Sequence, residues 1–144
     1  MDRLEQLKKL TVEHSDALIF ADEILSIAAS GDNESLLVGI EKIKKYYNDE
    51  LELHFQHEER TIFAPIFKEH REHIQMATLL LKDHGFIRLL IQRIDLASAT
   101  QDLSDFATVL RTHTVTEDKE LFPLIESIFT DEQFKAVVNF IPLD

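Results

Sequence analysis

The sequence predicts an all-α fold, an antiparallel up-down-up-down four-helix bundle with a short C-terminal helix. Only three Gly and three Pro occur among the 144 residues, so long segments contain few helix breakers. In four of these segments apolar residues recur at steps of three and four, which is the spacing of one helix face. Short connections between the segments favour antiparallel neighbours. The length suits one domain, and we predict that residues 1–144 form it.

A turn signal separates the first two predicted helices. The first helix covers about residues 2–29 and ends before Gly31, because glycine readily adopts the left-handed conformation that closes helices. Asp32 or Asn33 can cap the second helix by accepting hydrogen bonds from its free backbone N–H groups.

A proline and a polar segment delimit the second and third predicted helices. The second helix runs to about residue 63, because Pro65 is expected to interrupt or kink it. The third helix covers about residues 71–96. Gly85 lies inside it, where it either permits close packing or is a tolerated weak point.

The fourth predicted helix covers about residues 103–128, with Thr100 or Asp102 as its cap. Residues 130–133 then read as a capping box that opens the short terminal helix. The predicted inward stripe of the fourth helix is Phe106, Leu110, His113, Glu117, Leu121, Leu124 and Ile128.

Composition excludes several classes of function. The chain has no Cys, which excludes disulfides, thiolate nucleophiles, zinc–thiolate sites and Cys-held iron–sulfur clusters. A formal net charge of −12 and the lack of a basic cluster argue against nucleic-acid binding. No apolar run is long enough for a membrane span and no apolar signal segment opens the sequence, so we expect a cytoplasmic protein.

Two of the predicted helices carry the same pattern of ligand-type residues. His54 and Glu58 lie four residues apart on the second helix, as do His113 and Glu117 on the fourth. In each case another acid follows the glutamate, and an aliphatic residue and a Phe follow eight and nine positions after the histidine. Residues four apart project from one helix face, so imidazole and carboxylate can reach one metal centre. Each remaining long helix adds one inward histidine: His14 and His84.

A buried set of this kind is hard to explain without a metal. A carboxylate on a core stripe is costly unless it is paired or coordinated. Arg88, one turn after His84, is the nearest candidate for an ion pair, and such a pair is the main alternative. Nitrogen and oxygen ligands suit iron or manganese, and two carboxylates able to bridge suit two ions. We favour a di-iron site.

The other histidines are interpreted as structural. His57 adjoins Glu58 but lies about 80° round the helix from the ligand face. His73 is about 16 Å along the helix from His84, too far to share its site. We expect His70 and His73 to lie at the end of the bundle or on its surface.

On these motifs the sequence resembles the hemerythrin-like, or HHE cation-binding, family, from about His14 to Pro123. The resemblance implies a non-haem di-iron centre in which an oxo or hydroxo group and two carboxylates bridge two iron ions. Carried over residue by residue, it makes four histidines terminal ligands and two glutamates bridges: His14, His54, His84 and His113, with Glu58 and Glu117.

Two positions depart from the oxygen-carrying members of that family. Those proteins have a second histidine four residues after the third-helix ligand, and this position is Arg88 here. They also use an aspartate five residues after the last histidine as a bridge. Asp118 has that spacing, but Glu117 matches the pattern of the second helix. The resemblance therefore implies a six-ligand site with more open coordination.

Several functions are compatible with such a site. The first is binding or sensing of O2, NO or peroxide at an open iron position. The second is a di-iron enzyme, with ferroxidase, peroxidase-like or NO reductase activity. The tyrosine on a predicted inward helix face is Tyr47, and we expect it to serve in core packing. A third is iron-centre repair, but the chain lacks the Cys-containing segment that such proteins often add, and this argues against that role. A fourth is a structural bundle that binds adventitious zinc.

Overall fold

The computed structural model describes residues 2–142 and contains no strand within them. Its helices are α1 (Lys8–Ser30), α2 (residues 33–69), α3 (Ile74–Arg93), α4 (residues 99–128) and α5 (Asp131–Val138). One helical turn, Arg3–Gln6, precedes α1, and a 3₁₀ turn, Arg71–His73, precedes α3. The all-α prediction is confirmed. None of the described helices is long and apolar enough to cross a membrane.

Both α2 and α4 contain π-helical turns, in which backbone hydrogen bonds span five residues instead of four. In α2 the α-helical segments are Asn33–Tyr46, Glu52–Glu58 and Ala64–Glu69, and the π turns between them are Tyr47–Leu51 and Glu59–Phe63. In α4 the π turn Glu117–Leu121 separates Ala99–Thr116 from Phe122–Ile128. Two of these π turns begin at, or directly after, an inward glutamate. Such turns are frequent at functional sites.

The prediction that the second helix ends near residue 63 is wrong, and a π turn explains why. The Ala64 N–H donates to the Glu59 carbonyl, five residues earlier. Pro65 is therefore only the second residue of the α-helical segment that follows, where the missing N–H of proline costs little. The helix continues to Glu69.

The π turn in α4 also changes which residues are buried beyond it. A turn with one extra residue rotates the rest of the helix, so the inward position moves one residue along the chain. Leu124 and Ile128, predicted to face inward, are only half-buried. Ile125 and Phe129 take their places in the core, with 0 % and 3 % exposure.

Two of the predicted helix ends are confirmed by their backbone geometry. Gly31 closes α1 with a φ of 75°, in the left-handed region. The Asp32 side chain caps α2 by accepting from the Ser35 N–H at 2.8 Å. The capping box also forms, with Thr130 and Gln133 each accepting from the backbone of the other.

The start of α4 differs from the prediction, because neither Thr100 nor Asp102 caps it. The helix begins at Ala99, after a turn in which Asp95 Oδ1 accepts from the Ser98 N–H at 3.0 Å. Asp102 lies within the helix and is 4 % exposed. Its carboxylate pairs with Arg93 at 2.6 Å and so joins α4 to the end of α3.

The core consists of two apolar clusters at opposite ends of the bundle, with the inward His and Glu residues at their junction. The first cluster includes Ile24, Ile43, Leu90 and Phe106, and the second includes Leu10, Phe63, Leu80 and Ile125. Along α1 and α3 the chain meets the second cluster first, and along α2 and α4 it meets the first cluster first. The helix directions therefore alternate, as an up-down-up-down bundle requires.

Two helical glycines give a matched test of this packing. A Cβ added at Gly85 has no atom within 4 Å, so this residue is a weak point and close packing does not require it. A Cβ added at Gly39 would lie 2.8 Å from Leu103 Cδ1 and 2.9 Å from Ile27 Cγ2. We expect Gly85→Ala to raise the free energy of unfolding by about 0.5–1 kcal/mol and Gly39→Ala to lower it by about 1 kcal/mol or more. Urea unfolding measures both, and equal shifts would contradict the packing described.

Candidate metal centre

The six inward residues predicted from the sequence lie together at the junction of the two clusters. α1 and α3 each supply one histidine, while α2 and α4 each supply a histidine and a glutamate one turn later. All six side chains are at most 8 % exposed, and both glutamates are fully buried. The six residues are His14, His54, Glu58, His84, His113 and Glu117.

Their ligand atoms form two groups that share both glutamates. His14 and His54 belong to one group and His84 and His113 to the other. Within each group the ligand atoms all lie within 4.8 Å of one another. The helix pair α1 and α2 therefore supplies the histidines of one group, and α3 and α4 supply those of the other.

Each glutamate spans the two groups, with one oxygen in each. Glu58 Oε2 lies 3.1 Å from His54 Nε2, and its Oε1 lies 3.1 Å from His84 Nε2. For Glu117, the corresponding distances are 3.0 Å from Oε1 to His14 Nε2 and 3.1 Å from Oε2 to His113 Nε2. Two carboxylates in this position are able to bridge a pair of cations.

The spacing of the imidazole nitrogens suits coordination to a common ion within each group. The Nε2 atoms of His14 and His54 are 3.1 Å apart, and those of His84 and His113 are 3.2 Å apart. Two nitrogens at right angles around a metal, each bound at about 2.1 Å, are separated by about 3.0 Å. The two histidines of each group therefore need little movement to bind one ion together.

Every inward histidine also has a carboxylate on its outer nitrogen. The Nδ1–oxygen distances run from 2.6 to 3.0 Å, and the pairs are Glu13 with His54, Glu59 with His84, Asp83 with His113 and Asp118 with His14. The acids of α1, α2 and α3 each pair with the histidine of the next helix along the chain. The acid of α4 pairs with the histidine of α1, which closes the ring. Such partners fix the ring orientation and the tautomer of metal-binding histidines.

This outer ring of acids determines what the interior of the site must contain. A neutral imidazole carries one proton, and a carboxylate partner at Nδ1 keeps the proton there. The Nε2 lone pairs then face carboxylate oxygens at distances between 3.0 and 3.4 Å. Within residues 2–142, Glu58 Oε2 and both Glu117 oxygens have no hydrogen-bond donor. With the imidazoles neutral, positive charge has to lie between these atoms, so the donor set fits bound metal cations.

The Phe residue of each motif packs against one of the imidazoles. Phe122, nine positions after His113, stacks on His14 with ring centroids 5.0 Å apart and planes 7° apart. Phe63, nine positions after His54, meets His84 edge-on at 5.7 Å. The Phe of each motif thus contacts the histidine of the next helix, in the same cyclic order as the acids.

In the metal-free protein the carboxylates keep the imidazoles charged. Burial lowers the pKa of His14, but the carboxylates of Asp118, Glu117 and Glu58 outweigh it, and that pKa lies well above 6.5. Burial also opposes the charge on His54, whose pKa Glu58 and Glu13 nevertheless raise to about 9. Burial raises the pKa of Glu58, yet the nearby imidazoles, led by His54, hold it well below 4.5. A cation that binds here must displace these protons.

We expect the metal-free protein to lose stability as the pH rises from about 6.5 to about 9. The pKa of His54 is about 9 in the folded chain against 6.5 when unperturbed, so its contribution is complete below about 6.5 and is lost as the pH passes through about 9. Urea unfolding of chelator-treated protein across this range measures the effect. A midpoint that stays constant or rises would be incompatible with the charged imidazoles described.

Arg88 and Asp118, whose roles at the site the sequence left open, lie outside the two ligand groups. Arg88 does not neutralise an inward glutamate, because its guanidinium pairs with Glu52 at 3.0 Å and with Glu59 at 2.7 Å. Arg88 therefore holds the acid that supports His84. Asp118 contacts the outer nitrogen of His14 and belongs to neither ligand group, whereas Glu117 belongs to both.

The histidines interpreted as structural also lie outside both groups. His57 Nε2 donates to the Val137 carbonyl at 2.7 Å. His70 contacts Gln133 at 2.9 Å, and His73 lies 3.6 Å from the exposed side chain of Glu72.

Sequence reasoning gave the supporting role to none of the four acids: it considered Asp118 only as an alternative bridge, and it assigned no role to Glu13, Glu59 or Asp83. A signal was present, because each of the four acids directly adjoins an inward residue in the sequence. An acid precedes the histidine on α1 and α3 and follows the glutamate on α2 and α4.

Fold and site together define an all-helical protein with a buried His and Glu cluster suited to metal cations. The family model described as the hemerythrin HHE cation-binding domain matches residues 6–125. The chain therefore belongs to this family, and the resemblance seen in the sequence is confirmed. Neither a curated protein nor a solved structure matches the chain.

Proposed function

We propose that the protein binds two iron ions as a non-haem di-iron centre with an oxo or hydroxo bridge, and that it binds or senses O2, NO or peroxide there. The observation that carries this proposal is the sharing of two buried glutamates between two His pairs. His14 and His54 would hold one ion and His84 and His113 the other, with Glu58 and Glu117 in contact with both. One ion would leave half of this buried donor set without a partner.

The donor set favours iron among the metals that such a site can hold. Imidazole nitrogens and carboxylate oxygens suit iron, and the chain has no Cys to favour softer metals. Di-iron sites in helical bundles are built in the same way, from Glu and His residues that project inward from facing helices. Zinc is the main competitor, because four ligands per ion also satisfy a tetrahedral site.

An open coordination position is what a sensor or carrier of small molecules needs. Each group offers two imidazoles and one oxygen from each glutamate. Arg88 occupies the position at which the oxygen-carrying members of the family have a further histidine ligand. Its guanidinium instead forms ion pairs with Glu52 and Glu59. When bound, iron supplies reversible coordination of, and electron transfer to, a small diatomic molecule or peroxide.

A di-iron enzyme is the second candidate, and a half-buried phenol favours it. Tyr46, rather than the predicted Tyr47, lines a cavity that also reaches His54 and His113. Burial raises the pKa of Tyr46 far above its usual value of 10, so its O–H stays protonated. A protonated phenol that lines the same cavity is a hydrogen-bond donor to a small molecule held there, which ferroxidase, peroxidase-like or NO reductase turnover would use.

Metal analysis and optical spectroscopy test the proposal. Protein from iron-replete cells is expected to hold about two iron ions per chain and to show oxo-to-iron charge-transfer absorption. Well under one iron per chain, without that absorption, would reject the di-iron proposal and favour adventitious zinc. Anaerobic reduction followed by addition of O2 or NO then separates the two candidates. A stable, reversible adduct supports binding or sensing, and rapid turnover to a diferric state supports an enzyme.

A further inference from the structure

A cavity of about 250 Å³ connects the protein surface to the candidate metal centre. At its buried end it is lined by His54 and His113, one histidine from each ligand group. At its outer end lie the exposed side chains of Asp16, Asp49 and Glu50. The cavity therefore gives solvent access to both halves of the site.

The wall of this cavity is strongly acidic. Apart from the ligands His54 and His113, four carboxylates and one ammonium group line it, for a formal net charge of −3 among these five residues: Glu13, Asp16, Asp49, Glu50 and Lys9. Three of the acids converge on one phenol, because Glu50, Asp16 and Glu13 add to the effect of burial in raising the pKa of Tyr46. Like charges in a narrow cleft concentrate the electrostatic field and attract cations.

His57 provides an independent observation inside the same cavity. This side chain is 3 % exposed and lines the cavity wall. Its Nε2–H donates to the Val137 carbonyl, so Nδ1 carries a lone pair. Nδ1 has no hydrogen-bond partner among the residues that the structure describes, and the ring is held by stacking on Phe140 at 4.5 Å. A buried nitrogen donor with a free lone pair is a ligand that a passing cation can use.

We propose that this cavity is the route by which a divalent metal cation reaches the buried ligands, with the acids at its mouth attracting the ion and His57 Nδ1 offering it a nitrogen on the way. The inference rests on the proposed function, because it requires the site to hold metal. It assigns a role to Asp16, Asp49 and Glu50, which contact none of the ligands. It also gives His57 a role beyond packing.

The rate of metal uptake tests this route separately from the final affinity. The metal-free protein is mixed with Co2+ in a stopped-flow instrument, and the visible absorption of the bound ion is followed at low and at high salt. The test variant is Asp16→Asn/Asp49→Asn/Glu50→Gln, which alters only exposed side chains. The matched control, Glu34→Gln/Glu41→Gln/Glu132→Gln, changes net charge equally at exposed positions that do not line the cavity.

The test variant is expected to take up Co2+ about 10-fold more slowly than wild type at low ionic strength, with unchanged final stoichiometry. The difference should largely vanish at about 1 M salt, where the screening length is only about 3 Å. The control should stay within about twofold of wild type. Equal rates for the test variant and wild type, with two ions bound, would overturn the route alone. A wild-type protein that binds no Co2+ and no iron would instead overturn the proposed function.

Discussion

Glu58→Ala is expected to reduce bound iron from about two ions per chain to less than one and to destabilise the loaded protein. The Glu58 carboxylate is fully buried and supplies one oxygen to each ligand group, so its removal affects both of the proposed ion positions together. The truncation also leaves a cavity in a packed interior, which adds to the loss of stability. Glu117→Ala should act in the same way, because that glutamate spans the same two groups.

Two further variants separate loss of the ligand from loss of packing. Glu58→Gln keeps the size of the side chain but removes the charge, so it should lose iron with little added cavity. Glu41→Ala, an exposed position on α2, should keep both iron and stability. Iron content is measured by elemental analysis and thermal stability by calorimetry on the same preparations. Two ions per chain in both Glu58 variants would refute the bridging role.

Removal of the metal is expected to lower the melting temperature by about 10 °C or more. A ligand present at about a thousand times its dissociation constant stabilises the folded state by about 4 kcal/mol, and a chain of this size shifts by roughly 3 °C per kcal/mol. The structural reason is the interior of the site, where the metal-free protein buries charged imidazoles beside carboxylates, three of whose oxygens have no hydrogen-bond partner. Bound cations replace those protons and coordinate imidazole and carboxylate together.

Calorimetry before and after treatment with a chelator measures this effect. Addition of Fe2+ under anaerobic conditions should restore the original melting temperature, which shows that the loss is reversible. The double variant Glu58→Ala/Glu117→Ala is the control and should not respond to the chelator. A wild-type melting temperature that does not change with the chelator, in protein shown to have lost its iron, would contradict a structural contribution from the metal.

The sequence by itself determined the fold class and the six inward residues. Helical periodicity fixes which side chains share a face, so the positions of His54 and Glu58 relative to the apolar stripe follow from spacing alone. The same holds for the capping box at Thr130 and for Gly31, because helix ends depend on local backbone chemistry. These features need no knowledge of neighbouring helices.

Only the tertiary structure decided how the faces meet. The pairing of Glu13 with His54, or of Asp118 with His14, joins residues on different helices, and no spacing along one helix encodes it. The π turn after Glu58 carries α2 past Pro65, contrary to a local rule that treats proline as a breaker. The partners of Arg88 could not be predicted from the sequence for the same reason. Long side chains reach several neighbours, and the helix that packs alongside selects the partner.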